Sequence, residues 1–292
     1  MEHGRDKLPA WTQAEWDTLD RTVHEEMGLT KVYPRLLTMY GPLNDPWATT
    51  VAAEIIDRES MSIPEEDKTN IAEVQVRFAL SQSQVAEGNG LSTALTLVTR
   101  AANLLALGLD TLVWDGAERL PAGVQIIRGK TAGAGLVAAA QHTIKVFPTE
   151  LDPATKQPRY GEATFAAVAE ATALLEAAGH ARPFGMVLDH RVFADAFRPL
   201  RTSLVTPADR ITPLVTRGFC PTARVPEMTG LVLSSRASTV DFVAGLAAVT
   251  GYLQANADGT HLFRVFERFA VRLKDPSALV RLEFQTEPED DR

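Results

Sequence analysis

The stretch His261–Phe284, HLFRVFERFAVRLKDPSALVRLEF, decides how the rest of the chain is read. Phe263, Val265, Phe269, Val271 and Leu273 fall on one side of an alternating pattern, and Arg264, Arg268, Arg272 and Lys274 fall mostly on the other. Alternation with period two predicts a half-buried β-strand. Glu267 interrupts the apolar row, which calls for a bulge or a paired carboxylate at that point. Asp275-Pro276 predicts a turn. Val280, Leu282 and Phe284, alternating with Arg281 and Glu283, predict a second strand that returns alongside the first. A hairpin of this kind must cover a core, and it carries no chemistry of its own.

The partners for that hairpin lie far upstream. Ala72–Leu80 alternates most cleanly, with Ala72, Val74, Val76, Phe78 and Leu80 against Glu73, Gln75, Arg77 and Ala79. After the break at Gly88-Asn89-Gly90, Leu91, Leu95, Val98, Ala102, Leu105, Leu109 and Leu112 recur at three-four spacing up to Trp114. This predicts a helix of roughly 36 Å. Its flanking positions are mostly uncharged, which favours a buried spine over a coiled coil. Trp11–Met27 predicts a second amphipathic helix, opened by a Thr12/Glu15 capping box and carrying Trp16, Leu19, Val23 and Met27 on one face. A helix so near a terminus must dock to stay ordered, on its own core or on a partner.

Arg35–Trp47, RLLTMYGPLNDPW, reads as a short strand entering Gly41-Pro42 and a turn-rich Asn44-Asp45-Pro46. Thr49–Asn70 mixes β-branched residues with a charged tip, Glu65-Glu66-Asp67-Lys68. It is either a solvated loop or a two-stranded arm; an arm needs a neighbouring surface, because isolated hairpins are marginal in water. From Gly116 the texture changes to strand Val124–Arg128, helix Glu162–Ala178 ended by Gly179, strand Gly185–Leu188, helix Arg191–Phe197 capped by Asp189, and strands Gly230–Ser234 and Asp241–Leu246. This is an α/β part of about 130 residues inserted into a discontinuous β-rich one, an α+β chain. Arg198–Arg217 holds three prolines and little periodicity, the mark of a long loop with a functional or interfacial reason to exist. The acidic 287–292 tail is expected to fray.

Bulk properties exclude several classes. The chain has 292 residues, 45% hydrophobic, with net charge −8 and pI about 5.3. Nucleic acid is not an expected partner, because phosphate binding needs a basic surface. The lone Cys220 excludes an intramolecular disulfide, fits a reducing compartment and reads as a small buried thiol. The start MEHGRDKLPAW lacks a signal-peptide pattern and no uninterrupted apolar window reaches about 18 residues, so a cytoplasmic location without a membrane partner is expected.

The histidines at 3, 24, 142, 180, 190 and 261 show no zinc spacing, and no Gly-x-Ser-x-Gly elbow occurs. No catalytic residue, metal or cofactor is expected. Gly129-Lys130-Thr131 lacks the earlier glycine of a phosphate loop, since position 124 is valine. Gly133–Ala138 matches G-x-G-x-x-A, with Val124–Arg128 before it and Glu150 or Asp152 as ribose-binding acid. The strand ends five residues early, however, and Phe147-Pro148 and Asp152-Pro153 break the expected unit.

Spaced H-x-F-R-V-x-E-x-x-x-x-R-x-K-x-P-x-A-x-x-x-L-E, the closing segment resembles the carboxy-terminal strands of encapsulins, shell proteins with the Hong Kong 97-type fold of tailed-phage major capsid proteins. Leu8–Met27, with Trp16 and Asp20, resembles the amino-terminal helix of that family. Arg35, Tyr40-Gly41-Pro42 and Trp47 resemble its approach to an extended loop. Gly179-His180 with Pro183–Leu188, and Arg217-Gly218 before Gly230–Ser235, resemble its apical domain, whereas Leu120–Tyr160 departs from the pattern.

The resemblance implies an amino-terminal helix (1–28), a peripheral domain (29–48, 71–117 and 247–286), an extended loop (49–70), an apical domain (118–246) and a tail (287–292). It implies copies assembled into an icosahedral cage around a cargo protein, a ferritin-like iron store or a peroxidase, with the chemistry in the cargo. A terminal targeting peptide of the cargo would dock in an apolar groove of Val23, Met27, Leu37 and Val249, with Arg35 and Tyr252 as polar anchors. Arg201, Thr202, Ser203, Leu204, Val205, Thr206, Pro207 and Ala208 would line a five-fold pore. The alternatives are a prophage major capsid protein and a nucleotide-dependent oxidoreductase using Gly133–Ala138.

Overall fold

The computed structural model describes residues 3–8, 10–57, 59–86, 90–129, 134–152, 156–199 and 205–286. Thr12 Oγ1 accepts the Glu15 N–H, and the Glu15 carboxylate accepts Thr12 N–H at 2.6 Å, so helix α1 (Gln13–Thr30) starts at the expected capping box. Next come a single turn, α2 (Tyr33–Leu36), and strands β1 (Thr38–Tyr40), β2 (Thr50–Ala52), β3 (Lys68–Asn70) and β4 (Ala72–Ser81). A short α3 (Gln82–Ala86) precedes the spine α4 (Gly90–Trp114), about 37 Å long. The middle of the chain forms β5 (Val124–Arg128), α5 (Leu136–Ala139), β6 (His142–Val146), β7 (Glu150–Leu151), β8 (Pro158–Arg159), α6 (Gly161–Ala177), β9 (Phe184–Asp189), α7 (His190–Ala196) and α8 (Pro207–Ile211). Strands β10 (Gly218–Thr222), β11 (Thr229–Ser234), β12 (Val240–Ala255), β13 (Thr260–Leu273) and β14 (Leu279–Phe284) complete it.

Two five-stranded sheets organise these elements. The first has the order β1-β12-β13-β4-β5 and is centred on the two longest strands; the second has the order β10-β9-β11-β14-β6. On one face of the first sheet, Phe263, Val265 and Phe269 of β13 pack with Val74, Val76, α1 and the buried row Val98, Ala102, Leu105 and Leu109 of α4. By length and composition α4 is apolar enough to cross a membrane; here its apolar row is buried against α1 and the sheet. The second sheet buries Phe184, Met186, Leu188, Val232 and Leu282 beneath α6, α7 and α8.

The hairpin expected at the end of the chain is not formed. β13 pairs with β12 and β4, whereas β14 pairs antiparallel with β11 and parallel with β6 in the other sheet. The turn at Pro276–Ala278 carries the chain across instead of back. Both strands alternate correctly, but alternation fixes which face is buried and not which neighbour is paired. For the same reason β5 and the first half of β12, read from the sequence with the α/β part, lie in the first sheet beside β4 and β13.

Glu267 receives both expected accommodations. It pairs with Lys31 at 2.7 Å, with the Tyr33 hydroxyl 3.5 Å away, and β12 bulges opposite it between Leu246 and Val249.

Candidate functional site

The six residues expected to form a peptide groove are not brought together. Val23, Met27 and Leu37 are at most 2% exposed and belong to the main core, so their side chains fill the space a peptide would need. Val249 stands across from Phe266, and cross-strand partners share a face. Phe266 alternates with Phe263 and Val265, which puts Val249 on the side of the sheet away from α1. Tyr252 is buried on the helix side, its hydroxyl 3.0 Å from His261 Nδ1. Arg35 is exposed beside the buried Cys220. The bulges of β12 shift its alternation; Glu267 signals the one that lies opposite it, and nothing within β12 itself signals the other two.

Of the pore-loop candidates, Arg201, Thr202, Ser203 and Leu204 lie outside the described residues. Val205 is exposed; Thr206 caps α8 in a second capping box with Asp209; Pro207 and Ala208 are buried in its first turn. Gly133 also lies outside the described residues, and the rest of the glycine motif does not have the setting of a dinucleotide fold. α5 has four residues, and a Cβ on Gly135 would lie 2.3 Å from the Trp114 carbonyl carbon. β5 runs antiparallel to β4, and β6 belongs to the other sheet, so among the described residues no parallel strand–helix–strand unit forms here. What α5 closes is an apolar cavity of about 120 Å³ lined by Leu112, Leu136, Phe269 and Leu273.

His180, Ser277 and Asp275 meet, but not as a nucleophilic triad. Ser277 Oγ donates to Asp275 Oδ1 at 2.7 Å and lies 2.9 Å from His180 Nε2. The hydroxyl proton therefore goes to the carboxylate, and hydroxyl and acid meet the same ring nitrogen, where a triad needs the acid on the other one. The cluster ties the end of α6 to the crossover between the two sheets. Among the described residues no group of three or more metal-ligating side chains is assembled.

The second face of the first sheet holds an arm. β2 and β3 pair antiparallel, Val51 across from Thr69, and a single bridge joins Asp57 to Ser62 further out. At its base, Leu43, Ala48 and Val51 pack on Ile71, Val243 and Ala270. Arg268 donates to the Pro46 and Ala48 carbonyls, and Arg272 donates to Glu54 at 2.6 Å and bidentately to buried Asp241 at 2.6 and 2.8 Å. Trp47 and Tyr40 stack on these two guanidinium groups. Lys274 completes the cluster, 2.5 Å from Glu54 and 2.9 Å from Asp241. Although burial opposes it, contact with Lys274 and Arg272 holds the Glu54 carboxyl below its ordinary range. The polar row of β13, read from the sequence as the other side of a half-buried strand, is thus an anchor for the arm. Beyond this anchor Ile55, Met61 and Ile63 are 44%, 80% and 51% exposed.

A family model described as encapsulating protein for peroxidase matches residues 2–270. The type 1 encapsulin shell protein EncA of Myxococcus xanthus is 24% identical over 286 residues, covering 93% of each chain. Among solved structures, the virus-like particle of Pyrococcus furiosus superposes with a TM-score of 0.66 at 16% identity, over 92% of this chain and 99% of that one. The capsid of Myoviridae phage XM1 gives 0.56 at 10% identity, over 88% and 92%.

Proposed function

The chain belongs to the family of encapsulating proteins for peroxidase and is an encapsulin shell protein with the tailed-phage capsid fold; from that premise we propose that its copies close into an icosahedral cage, in the cytoplasm, around a cargo enzyme. The shell itself is not a catalyst in this reading; a peroxidase or an iron-storing protein inside would carry the chemistry. Residues 49–70 serve as the extended loop, the first sheet with α4 as the peripheral domain, and the second sheet as the apical domain.

The observation that carries the reading is the arm. Its base is built into the core, but Ile55, Met61 and Ile63 project with about half or more of each side chain open to solvent. Apolar side chains grouped this way mark an interaction site. A second copy is the partner a shell supplies.

Electron microscopy and gel filtration of the purified protein test this directly. Hollow particles at megadalton mass are expected, with little nucleic acid in their absorbance spectrum; a stable monomer or dimer under mild conditions would refute it. Cargo docking through a peptide is assigned to the two candidate positions still reachable, Arg35 and Val249. Arg35→Glu and Val249→Asp should each leave shells intact. The one that empties them identifies the docking face, and full loading in both would end the assignment.

A further inference from the structure

Of the three apolar side chains that the arm holds out, two are isoleucines, inert to oxidants, and the third is a thioether. Met61 is 80% exposed, more than any other large apolar side chain among the described residues. A turn closed by Asp57 presents it. Asp57 N–H donates to the Ser62 carbonyl at 3.0 Å, and the Asp57 carboxylate accepts Ser60 Oγ at 2.6 Å. Met61 itself sits at φ +50, where glycine would be the easier residue. Apolar contact alone does not call for sulfur, since leucine has nearly the same volume and polarity.

The other sulfur atoms are placed differently. The chain has six methionines and one cysteine. Met27 and Met186 are at most 2% exposed, Met228 is half-buried, and Met1 lies outside the described residues. Cys220 is buried, and burial pushes its thiol up, so little thiolate forms to meet an oxidant. Met39, on β1, is 45% exposed and is the nearest competitor.

Hydrogen peroxide oxidises a thioether in one two-electron step. One peroxide oxygen is transferred to Sδ, the O–O bond breaks, sulfur becomes the sulfoxide, and the other oxygen leaves as water. The sulfoxide is polar and accepts hydrogen bonds, so it resists burial in an apolar contact. Reduction by thiols reverses the step: two thiols become a disulfide, and the sulfoxide oxygen leaves as water.

We infer that Met61 is an oxidation site that governs assembly: its thioether lets the tip of the arm pack on a neighbouring copy, and its sulfoxide keeps subunits apart. In a free subunit the sulfur is open to peroxide. In a closed shell the neighbour covers it, so shells already built persist while new ones stop forming. This rests on the shell reading, and the two are tested separately.

Shells of the parent protein are first confirmed by microscopy; their absence would overturn the shell reading and this site with it. Parent shells, and subunits released from them by mild denaturant, are then treated with dilute hydrogen peroxide. Peptide mass spectrometry follows the oxygen added at Met61, Met39 and Met228. Met61 should oxidise about tenfold faster in free subunits than in shells, and treated subunits returned to buffer should give about a tenth of the particles that untreated ones give. Met61→Leu, treated in the same way, should assemble as well as its untreated form. Equal oxidation of Met61 in shells and free subunits, full assembly with Met61 oxidised, or equal loss of assembly in Met61→Leu would each overturn the inference. If released subunits do not reassemble even untreated, expression decides. Met61→Gln, polar like the sulfoxide, should then give free subunits where Met61→Leu gives shells; shells from both variants, or from neither, would overturn it.

Discussion

Asp110 holds a carboxyl where almost no water reaches it. It is 1% exposed, on the spine helix α4, and its oxygens accept the backbone N–H groups of Val32 (3.1 and 3.0 Å) and Tyr33 (3.0 Å) at the start of α2. It therefore fastens the joint after the amino-terminal helix, beside Lys31. Burial outweighs those hydrogen bonds and pushes its pKa from 3.8 up to about 6. Burial and the carboxylates of Glu267 and Asp110 likewise push the Tyr33 phenol well up. The consequence for stability has a definite sign. Between about pH 4 and pH 6 the folded chain keeps a proton that the unfolded chain has released, so this group favours folding most in acid and loses about 3 kcal/mol by pH 6. Asp110→Asn keeps the shape and removes the titration. Denaturant unfolding of parent and variant, compared from pH 4 to pH 7, should show the parent losing about 3 kcal/mol relative to the variant; parallel pH curves would sink the argument. None of this was legible beforehand. Asp110 looks like one polar residue in an apolar helix, and its partners lie 77 and 78 residues away. Glu267 was legible, because a carboxylate in the apolar row of a strand demands a partner.

At the scale of elements, the anchor of the arm and the strap at the amino terminus show how the long strands are finished. Glu54 sits at φ +57, a left-handed conformation costing about 1–2 kcal/mol for a residue with a side chain, and Arg272 and Lys274 hold it there. Arg272→Met leaves Asp241 buried with only Lys274 opposite. Breaking a buried pair on one side is expected to cost about 3–5 kcal/mol, visible as a lower unfolding midpoint, together with faster amide exchange over β2 and β3. An unchanged midpoint would mean the ladder is not what holds the arm. The free edge of β12 is closed differently. His3 carbonyl accepts Tyr252 N–H at 2.9 Å, and the Arg5–Asp20 pair, 2.6 Å, occupies both backbone groups of Thr250. Gly4, at φ +69, permits the approach, since a Cβ there would lie 2.3 Å from the Tyr252 carbonyl oxygen. Gly4→Ala should release this strap: exchange at Tyr252 N–H rises at least tenfold while shells persist, and protection equal to the parent would refute the strap. Covering an edge suppresses unwanted strand pairing. Helices, strand faces and caps were readable because they depend on spacing within one segment. Strand neighbours were not. β14 alternates as well as β13 does, and only its contacts with β11 and β6 tell the two sheets apart. The peptide groove failed for the same reason, since the bulges of β12 decide which side Val249 faces.

The whole molecule poses one question that neither scale answers: why a chain with two good cores should keep so much apolar surface on projections. The tip of the arm supplies a way to ask it. Ala48 and Val51 pack on the first sheet, and Ile56 N–H still reaches the Lys274 carbonyl, so the base belongs to the subunit. Beyond it the described residues make one isolated bridge and a few local hydrogen bonds around Asp57 and Ser60, and they carry Met61 and Ile63 into solvent. Replacing residues 57–66 by a short glycine-rich turn removes little that the subunit buries, so its unfolding free energy should stay within about 1 kcal/mol of the parent. Assembly should respond quite differently. If the tip lies on neighbouring copies, each shell loses that contact once for every subunit, and sedimentation should show free subunits or small oligomers where the parent forms particles. Particles of parental size and yield without the tip would mean that its exposed side chains serve something other than the wall, and the arm would no longer support the reading built on it.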